Sequence, residues 1–424
     1  MFKRRLLTMM VCTLIVAGMT TGLAFGQATT TFSIDYQGPT RGLPDGFLGG
    51  GFISEGDILT PLLPGPPGPN PPGAPAAPPG QMLTPAALGI FPTAAGHVEL
   101  DALSYGRDTF NWGLPEVIWY FSVDEFAAGH PLDAFPPPPA NVLSEGADPL
   151  LGNMEASADV FTTAPAPFGA PRGPGPFGAG DGNFAWADGD AVFPWGGPGM
   201  GLIEPNAPTY GAVLDDGDNL DALDIHTTFA DVHGGPLPAT IFFSLDAEFP
   251  DPFEVPAAPP PNTGTAAANG FVGGDVLVSV GGAPFLFAPA ALLGLDMFGA
   301  DTDDLDALAL IEDGDGVFEP WGDDLIFYSV RRGSAVIGFP DAIWGAPIEE
   351  GDILVPPAVA GGPPGIWVAA ERLGLATVRS GTALVPPPGY FARGDDLNAL
   401  DIAPEPASLS LLALGGLALL RRRP

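Results

Sequence analysis

Residues 31–36 read Thr-Phe-Ser-Ile-Asp-Tyr, and this stretch decides the fold because the interior of the chain repeats it. Residues 241–246 (Ile-Phe-Phe-Ser-Leu-Asp) carry the same order of aromatic, Ser, aliphatic and Asp. Residues 118–124 and 325–330 carry related copies. Short apolar runs rich in aromatic and aliphatic residues predict β-strands. The first strand of the chain therefore belongs to the same class as strands found much later.

Three further elements accompany this strand. A motif Leu-(Asp/Asn)-Ala-Leu recurs at intervals of 120, 85 and 92 residues, beginning at Leu100, Leu220, Leu305 and Leu397. A motif Gly-Asp-(Ile/Val)-Leu begins at Gly56, Gly274 and Gly351, with a weaker copy at residues 158–161. A short Ala/Leu/Gly piece follows it, as at residues 87–90, 292–295 and 372–375. The four elements predict four short β-strands per unit.

The order of these elements predicts a closed ring. The chain opens with a Phe-Ser-Ile-Asp strand and ends at residues 397–402 with a Leu-Asn-Ala-Leu strand that no such strand follows. The opening strand can therefore complete the last unit, which would remove a free sheet edge. The fold class predicted is all-β, with four repeated four-stranded units in a small β-propeller closed by the N-terminal strand. An irregular β-sandwich or a solenoid is the alternative.

Gly and Pro explain the uneven spacing of the repeats. They make up 113 of the 424 residues and concentrate between the motifs, as in residues 61–79, 164–208, 256–269 and 356–364. Proline cannot donate to a β-ladder, so these runs are predicted to be loops inserted into a single domain, residues 29–403.

The N-terminal residues 1–28 are predicted to be a signal peptide. Lys3, Arg4 and Arg5 precede an apolar stretch at residues 6–25, and small residues follow, with Ala28 as the favoured cleavage point. The single cysteine, Cys12, lies inside the apolar stretch. The mature chain is therefore expected to contain no disulfide and no thiolate chemistry.

The last 21 residues, 404–424, form a second distinct segment. Pro404, Glu405 and Pro406 precede an apolar run, residues 407–420, and Arg421, Arg422 and Arg423 follow it. Fourteen helical residues would reach only about 21 Å, which is short of a ~30 Å hydrocarbon core. A basic cluster after such a run is typical of a marginal anchor with its charged end inside the cell.

This order of residues resembles the PEP-CTERM sorting signal of Gram-negative bacteria. The resemblance implies processing of the tail by an exosortase-type membrane enzyme during export, with transient anchoring in the inner membrane. It also implies an exported product at the cell surface, in the outer envelope or outside the cell, with extracellular polysaccharide as a partner to consider. The resemblance covers 21 of 424 residues and concerns the cellular destination of the protein rather than its activity. An ordinary short C-terminal anchor is the alternative.

The charge of the mature chain excludes nucleic acid as a partner. Six of the 14 basic residues lie in the two terminal segments, which leaves eight Arg against 49 acidic residues and a net charge of about −41. Such a surface repels polyanions and favours divalent cations or basic partners.

Acidic loops before the Leu-(Asp/Asn)-Ala-Leu motifs are the candidate metal sites. Ca²⁺ takes six to eight oxygen ligands from carboxylates and carbonyls on flexible loops. The predicted Ca²⁺ ligands are Asp216, Asp218, Asp301, Asp303, Asp304, Asp313, Asp315, Asp395 and Asp396. Turn formation by Asp and Gly, without a metal, is the alternative.

The repeated Asp of the Leu-Asp-Ala-Leu motif carries a separate prediction. Asp101, Asp221 and Asp306 are expected to accept hydrogen bonds from the backbone of a neighbouring blade, in place of a disulfide. Asn398 in the last copy would keep an acceptor and lose the charge.

No catalytic motif is found, so an enzyme is not predicted. The sequence has no Gly-x-Ser-x-Gly elbow and no phosphate-binding Gly-x-x-x-x-Gly-Lys loop, and its four histidines form no familiar zinc pattern. The favoured function is an exported structural or binding protein of the cell surface or extracellular matrix. A propeller-type glycan-active hydrolase or lyase is the alternative, since a chain so rich in acids offers many carboxylate pairs.

Overall fold

A computed structural model of the chain is a four-bladed β-propeller, and this confirms the fold predicted from the repeats. Each blade is a four-stranded antiparallel sheet. The structure describes residues 29–47, 51–62, 69–91, 99–105, 116–117, 119–124, 127–129, 141–142, 156–163, 166–167, 183–190, 199–203, 217–226, 240–246, 264–312, 316–320, 324–384 and 392–403.

The strands are numbered in chain order and grouped by blade. Blade 1 contains β1 (Thr29–Ser33), β2 (Ile58–Thr60), β3 (Gly80–Leu83) and β20 (Ala399–Ala403). Blade 2 contains β5 (Ala102–Ser104), β7 (Tyr120–Ser122), β9 (Val160–Thr163) and β11 (Asn183–Ala187). Blade 3 contains β12 (Leu220–His226), β13 (Thr240–Leu245), β14 (Val276–Ser279) and β15 (Phe285–Ala288). Blade 4 contains β16 (Leu305–Ile311), β17 (Leu325–Val330), β18 (Ile353–Val355) and β19 (Gly365–Val368). Two small pairs lie outside the blades: β4 (Ile90–Phe91) with β8 (Ala128–Gly129), and β6 (Glu116–Val117) with β10 (Ala166–Pro167).

The N-terminal strand closes the ring as predicted. β1 pairs antiparallel with β20 along its whole length, from Thr29 opposite Ala403 to Ser33 opposite Ala399. The strand begins and ends a few residues earlier than the sequence motif at residues 31–36. The two ends of the described chain are therefore hydrogen-bonded neighbours in blade 1.

The Leu-(Asp/Asn)-Ala-Leu motifs form or lead into the innermost strands, β5, β12, β16 and β20. These strands contact their neighbours around the ring and also the strand diagonally opposite. The axis of the propeller is therefore narrow, and polar side chains on these strands are brought close together.

The hydrophobic core is divided into four clusters, one between each pair of adjacent blades. Because strand side chains alternate between faces, consecutive residues serve different clusters. Tyr120 packs between blades 2 and 3, for example, while Phe121 packs between blades 1 and 2. No single core exists, and each blade is stabilised by both neighbours.

A serine hydroxyl links each blade to the next. In all four blades the Ser that follows an aromatic residue in the second strand donates to the backbone carbonyl of the first Leu of the next Leu-(Asp/Asn)-Ala-Leu motif. The four bonds are Ser33 to Leu100 at 2.7 Å, Ser122 to Leu220 at 2.9 Å, Ser244 to Leu305 at 2.9 Å and Ser329 to Leu397 at 2.7 Å. Asp101, Asp221 and Asp306, which the sequence predicts to make such a link, each have one buried oxygen, Oδ2, that accepts no hydrogen bond from a described residue. The prediction that these aspartates also link the blades stays a prediction.

The Ala/Leu/Gly pieces are helical turns, so their prediction as strands is wrong. They form α1 (Pro85–Leu88), α3 (Ala290–Leu293) and α4 (Ala370–Leu373), while α2 (Gly264–Asn269) lies in a predicted loop. The Asp of the Gly-Asp motif stabilises two of these turns. Asp275 and Asp352 each accept a hydrogen bond from the first backbone N–H of the turn, at 2.9 Å. A glycine with positive φ then ends each turn, as at Gly294 (φ 83°).

Candidate functional site

Asp221 and Asp306 occupy β-bulges near the axis of the propeller. β12 shifts register between Leu220 and Ala222, so Asp221 has no partner of its own in β13, and Asp306 holds the same position in β16. A bulge re-aims the side chain of its extra residue. Asp221 and Asp306 are only 5% and 6% exposed.

A ring of polar residues surrounds these bulges. The residue two positions after each blade-linking serine donates its backbone N–H to the carbonyl of the residue before the inner Leu. These four bonds are Asp35 to Asp396, Asp124 to Glu99, Asp246 to Asn219 and Arg331 to Asp304, at 3.0–3.4 Å. Three of the four donors are Asp, and the fourth is Arg331. We call these four donors, the four residues that accept from them, and Asp221 and Asp306 together the channel mouth.

Three carboxylates of the channel mouth converge on one point. One oxygen each from Asp221, Asp246 and Asp304 lies within 4.8 Å of the others. Arg331 contacts two of them, with its Nη1 2.6 Å from Asp246 and 3.7 Å from Asp304. The side chains of Asp304 and Asp246 are 0% and 10% exposed. Blades 3 and 4 therefore share a buried acidic cluster with one guanidinium inside it.

A second arginine, Arg332, forms ion pairs in the adjoining part of the channel mouth. Arg332 Nη1 lies 2.5 Å from Asp35 Oδ2, and its Nε lies 3.8 Å from Glu350 Oε1. Its backbone N–H donates to Asp396 at 2.8 Å. Tyr36 makes the equivalent backbone bond to Glu99 at 3.3 Å. These contacts join blade 4 to blade 1 and blade 1 to blade 2.

Burial raises the pKa of several carboxyls in the channel mouth. The pKa values of Asp221 and Asp306 lie well above the usual range because both are desolvated and face further carboxylates. Burial also raises the pKa of Asp396 to about 8, although Arg332 opposes this shift. These carboxyls therefore keep their protons to a higher pH than exposed aspartates do, unless a cation stabilises their ionised form.

Comparisons with known proteins found no relative. No family model, curated protein or solved structure matches this chain.

Further carboxylates lie on the inner strands beyond the mouth. Asp224 accepts hydrogen bonds from Ser104 Oγ and from the backbone N–H of Leu310, and Asp401 accepts one from the backbone N–H of Tyr105. Burial and the nearby charge of Asp224 raise the pKa of Asp401. These bonds join inner strands of different blades.

Three of the predicted Ca²⁺ ligands make structural hydrogen bonds. Asp218, Asp303 and Asp395 each lie two residues before the inner Leu and accept backbone N–H groups from neighbouring loops and from more distant segments. The donors include Ile203 and Thr265 for Asp218, Asp296 and Val336 for Asp303, and Thr40 and Ala376 for Asp395. These carboxylates therefore tie loops to the ends of the inner strands.

The remaining predicted ligands fall into three places. Asp304 and Asp396 lie in the channel mouth, where the structure brings them near Asp306. Asp301 has a positive φ of 59° and accepts a hydrogen bond from Gly273 N at 3.4 Å. Asp216, Asp313 and Asp315 lie outside the described residues. The prediction that Ca²⁺ binds at these loops stays a prediction.

The sorting residues also lie outside the described part of the chain. They are Pro404, Glu405, Pro406, Arg421, Arg422 and Arg423, and the predicted signal peptide at residues 1–28 is likewise not described. Within the described ranges, no helix is both long enough and apolar enough to cross a bilayer.

Sequence reasoning missed Arg331, Arg332 and Asp246 as members of one site. A signal for two of them was present, because the position two residues after the blade-linking Ser is Asp35, Asp124, Asp246 and Arg331 in the four repeats. A charge reversal at one of four equivalent positions indicates a contact peculiar to that blade. Which charges meet there depends on ring closure, which the local motif does not contain.

Proposed function

We propose that this protein is an exported structural or binding protein of the cell surface or extracellular matrix, processed at its C-terminal segment. The observation that carries the proposal is the position of the ring closure. β1 begins at Thr29 and β20 ends at Ala403, and these two residues are paired. Removal of the predicted signal peptide after Ala28, or of the tail from Pro404 onward, would leave every strand of the propeller intact.

The way in which the blades are joined sets no redox requirement on the compartment, so the fold would be retained on export. The described residues contain no cysteine, and the blades are linked instead by serine hydroxyls and buried arginine–carboxylate pairs. None of these links changes with the redox state of the compartment. The proposed partners are an exosortase-type processing enzyme, the inner membrane during export, and extracellular polysaccharide.

Mass spectrometry of the mature protein tests the proposal. The chain is expressed in a bacterium that encodes an exosortase and recovered from envelope and medium. We expect an N-terminus near Thr29 and a C-terminus that lacks Arg421–Arg423. A variant with these three arginines changed to Gln should keep its tail and accumulate in the inner membrane. An intact C-terminus on wild-type protein in the envelope or medium would contradict the sorting proposal.

One observation favours a glycan-active hydrolase or lyase as a second candidate. Carboxylates from several blades gather at one mouth, and three of their oxygens lie within 4.8 Å of one another. That separation is close to the ~5–5.5 Å between the carboxyl groups of retaining glycosidases. The side chains are nine-tenths or more buried, however, and a sugar has little access to them, so this candidate ranks second. Turnover of a polysaccharide that disappears in an Asp306→Asn variant would favour it.

A further inference from the structure

The channel mouth contains buried carboxylate oxygens that no described residue satisfies. The Oδ2 atoms of Asp221 and Asp306 accept no hydrogen bond from the described parts of the chain, although both side chains are at least 94% buried. A buried carboxylate without a donor or a counter-charge is costly, so native proteins pair such groups or place them on metal ions. These two atoms therefore point to a partner that the described residues do not supply.

The cluster geometry suits a calcium ion. Oxygens bound to one Ca²⁺ lie about 2.3–2.6 Å from it, so two ligands of the same ion are separated by at most about 5 Å. Oxygens of Asp221, Asp246 and Asp304 meet this condition, since they lie within 4.8 Å of one another. The set contains only oxygen ligands, which excludes a typical zinc site and favours a hard cation.

The charge balance of the cluster favours the same occupant. Asp221 faces Asp246, Asp304 and Asp306, and Arg331 is the cation that acts on it. Arg332 is engaged with Asp35 on the other side of the mouth. One guanidinium among four carboxyl groups leaves an excess of negative charge as soon as more than one of them is ionised, and metal binding requires that ionisation. A divalent cation would offset that excess.

We propose that the channel mouth binds one Ca²⁺ ion between blades 3 and 4, with Asp221, Asp246 and Asp304 as ligands and Asp306 beside them. Arg331 Nη1 contacts Asp246 Oδ1 and Asp304 Oδ2, and Asp304 Oδ1 also accepts a hydrogen bond from the backbone N–H of Leu305 at 3.0 Å. A carboxylate oxygen has two lone pairs, so it can bind the ion and keep such a contact. The site is distinct from the loop positions predicted from the sequence, except for Asp304. Ca²⁺ binding at this site is additional to the proposed function, and it does not depend on whether the protein is exported.

The repeat itself supplies a conservative test substitution. Asn398 occupies in blade 1 the position that Asp221 and Asp306 occupy in blades 3 and 4. Its amide donates to Glu99 at 2.5 Å, so Asn is compatible with the fold at this position. Asp221→Asn and Asp306→Asn should therefore fold, and both replace a buried ionisable group by a neutral one of the same shape. Asp190→Asn, at an exposed carboxylate after β11, is the matched control.

Thermal unfolding of the purified full-length chain and calorimetric titration with CaCl₂ or MgCl₂ test the site. At pH 8 without metal, Asp221→Asn should unfold at a higher temperature than wild type, because folding no longer requires the buried carboxyl to take up a proton or to hold a charge beside other carboxylates. With millimolar Ca²⁺, wild type and Asp190→Asn should gain several degrees, and EDTA should reverse the gain. Asp221→Asn should bind Ca²⁺ about tenfold or more weakly, because a ligand charge is lost. Mg²⁺ should bind more weakly than Ca²⁺ to wild type.

Two results would overturn the proposal. If Ca²⁺ does not raise the unfolding temperature of wild type and the titration shows no heat of binding, the carboxylates of the mouth are neutralised by protons alone. If Asp221→Asn and Asp306→Asn respond to Ca²⁺ as strongly as Asp190→Asn does, the ion binds elsewhere, and the loop aspartates become its candidates. Neither result depends on C-terminal processing, so this test and the test of export can fail separately.

Discussion

The serine that links adjacent blades is a small residue with a large structural role. Ser244 Oγ donates to the carbonyl of Leu305 at 2.9 Å, and both residues are fully buried. Loss of the hydroxyl leaves a buried carbonyl without this donor, and such a loss costs about 1–3 kcal/mol.

We predict that Ser244→Ala lowers the free energy of unfolding by about 1–2 kcal/mol. Urea denaturation followed by tryptophan fluorescence measures the change. Ser380→Ala is the control, because the Ser380 hydroxyl bonds only within its own loop, to Thr377 and Thr382. Equal stability of the two variants would show that the link between blades contributes nothing.

Arg379 is the second residue on which a local structure depends. Its guanidinium donates to both oxygens of Asp352 at 2.6 Å, and to both oxygens of Glu371 at 2.9 and 3.1 Å. Both acids are buried. Removal of the arginine would leave two buried carboxylates without their counter-charge, which is the case in which a buried ion pair matters most.

Arg379→Met should therefore destabilise the protein by roughly 3–5 kcal/mol at pH 7. The exposed Arg372, in the same blade, donates to the carbonyl of Pro71 at 3.1 Å, and Arg372→Met should cost less than about 1 kcal/mol. Part of the loss in Arg379→Met should be recovered in mild acid, where the two carboxyls can protonate. A loss that persists unchanged in acid would argue against the charge mechanism.

At the scale of elements, the pairing of β1 with β20 is the step that closes the ring. Phe32 lies in the core cluster between blades 4 and 1 and pairs with Leu400. Deletion of β1 would expose the edges of β2 and β20 and open this cluster. Because Thr29 and Ala403 are paired, a short linker can join them without altering the fold.

We predict opposite outcomes for two rearranged chains. A chain without residues 29–34 should fail to unfold cooperatively and should aggregate. A circular permutant should keep the native melting transition if Ala403 is joined to Thr29 by a short Gly/Ser loop and new ends lie between residues 203 and 217. Circular dichroism and size-exclusion chromatography distinguish the two. A soluble, cooperative deletion variant would contradict the role assigned to β1.

At the scale of the whole molecule, the dominant property is that acidic residues far outnumber basic residues. Burial raises the pKa of Asp57 to about 6 and that of Glu349 to about 7. In an unfolded chain these groups titrate near 4. Between about pH 4 and pH 7 the folded state therefore binds more protons than the unfolded state, and the free energy of unfolding falls as pH rises.

The unfolding temperature in EDTA should accordingly be higher near pH 5 than near pH 8. Glu349→Gln should flatten the upper part of this pH profile, because the substituted side chain binds no proton in either state. Asp190→Asn, at an exposed position, should leave the profile unchanged. A protein that becomes more stable from pH 5 to pH 8 would contradict the assignment of these buried carboxyls.

Much of the fold could be predicted because its information is local. Each blade repeats the same strand motifs, and the unmatched strand at residues 31–36 indicates closure without any knowledge of the structure. The Ala/Leu/Gly pieces were misread because four residues carry no periodicity. Two of the three turns are held by an aspartate from elsewhere in the blade, since Asp275 and Asp352 accept their first N–H at 2.9 Å.

The candidate site could be predicted only in part. Asp304 and Asp396 were chosen as acids in turn-forming loops, yet nothing local separates them from Asp218 or Asp303, which bond to the backbone. Asp246 and Arg331 meet although 85 residues separate them in the chain. Only the packing of blade 3 against blade 4 makes that contact.

The repeats and the order of the motifs by themselves determined an all-β chain of four similar units and favoured a closed ring over a sandwich or a solenoid, because strand pattern and turn chemistry are properties of short segments. The tertiary structure decided which carboxylates are buried together, which serines join the blades and where the two arginines lie. Electrostatic energy depends on the distances between charges on different blades and on their burial, and neither quantity can be read from a single segment of the sequence.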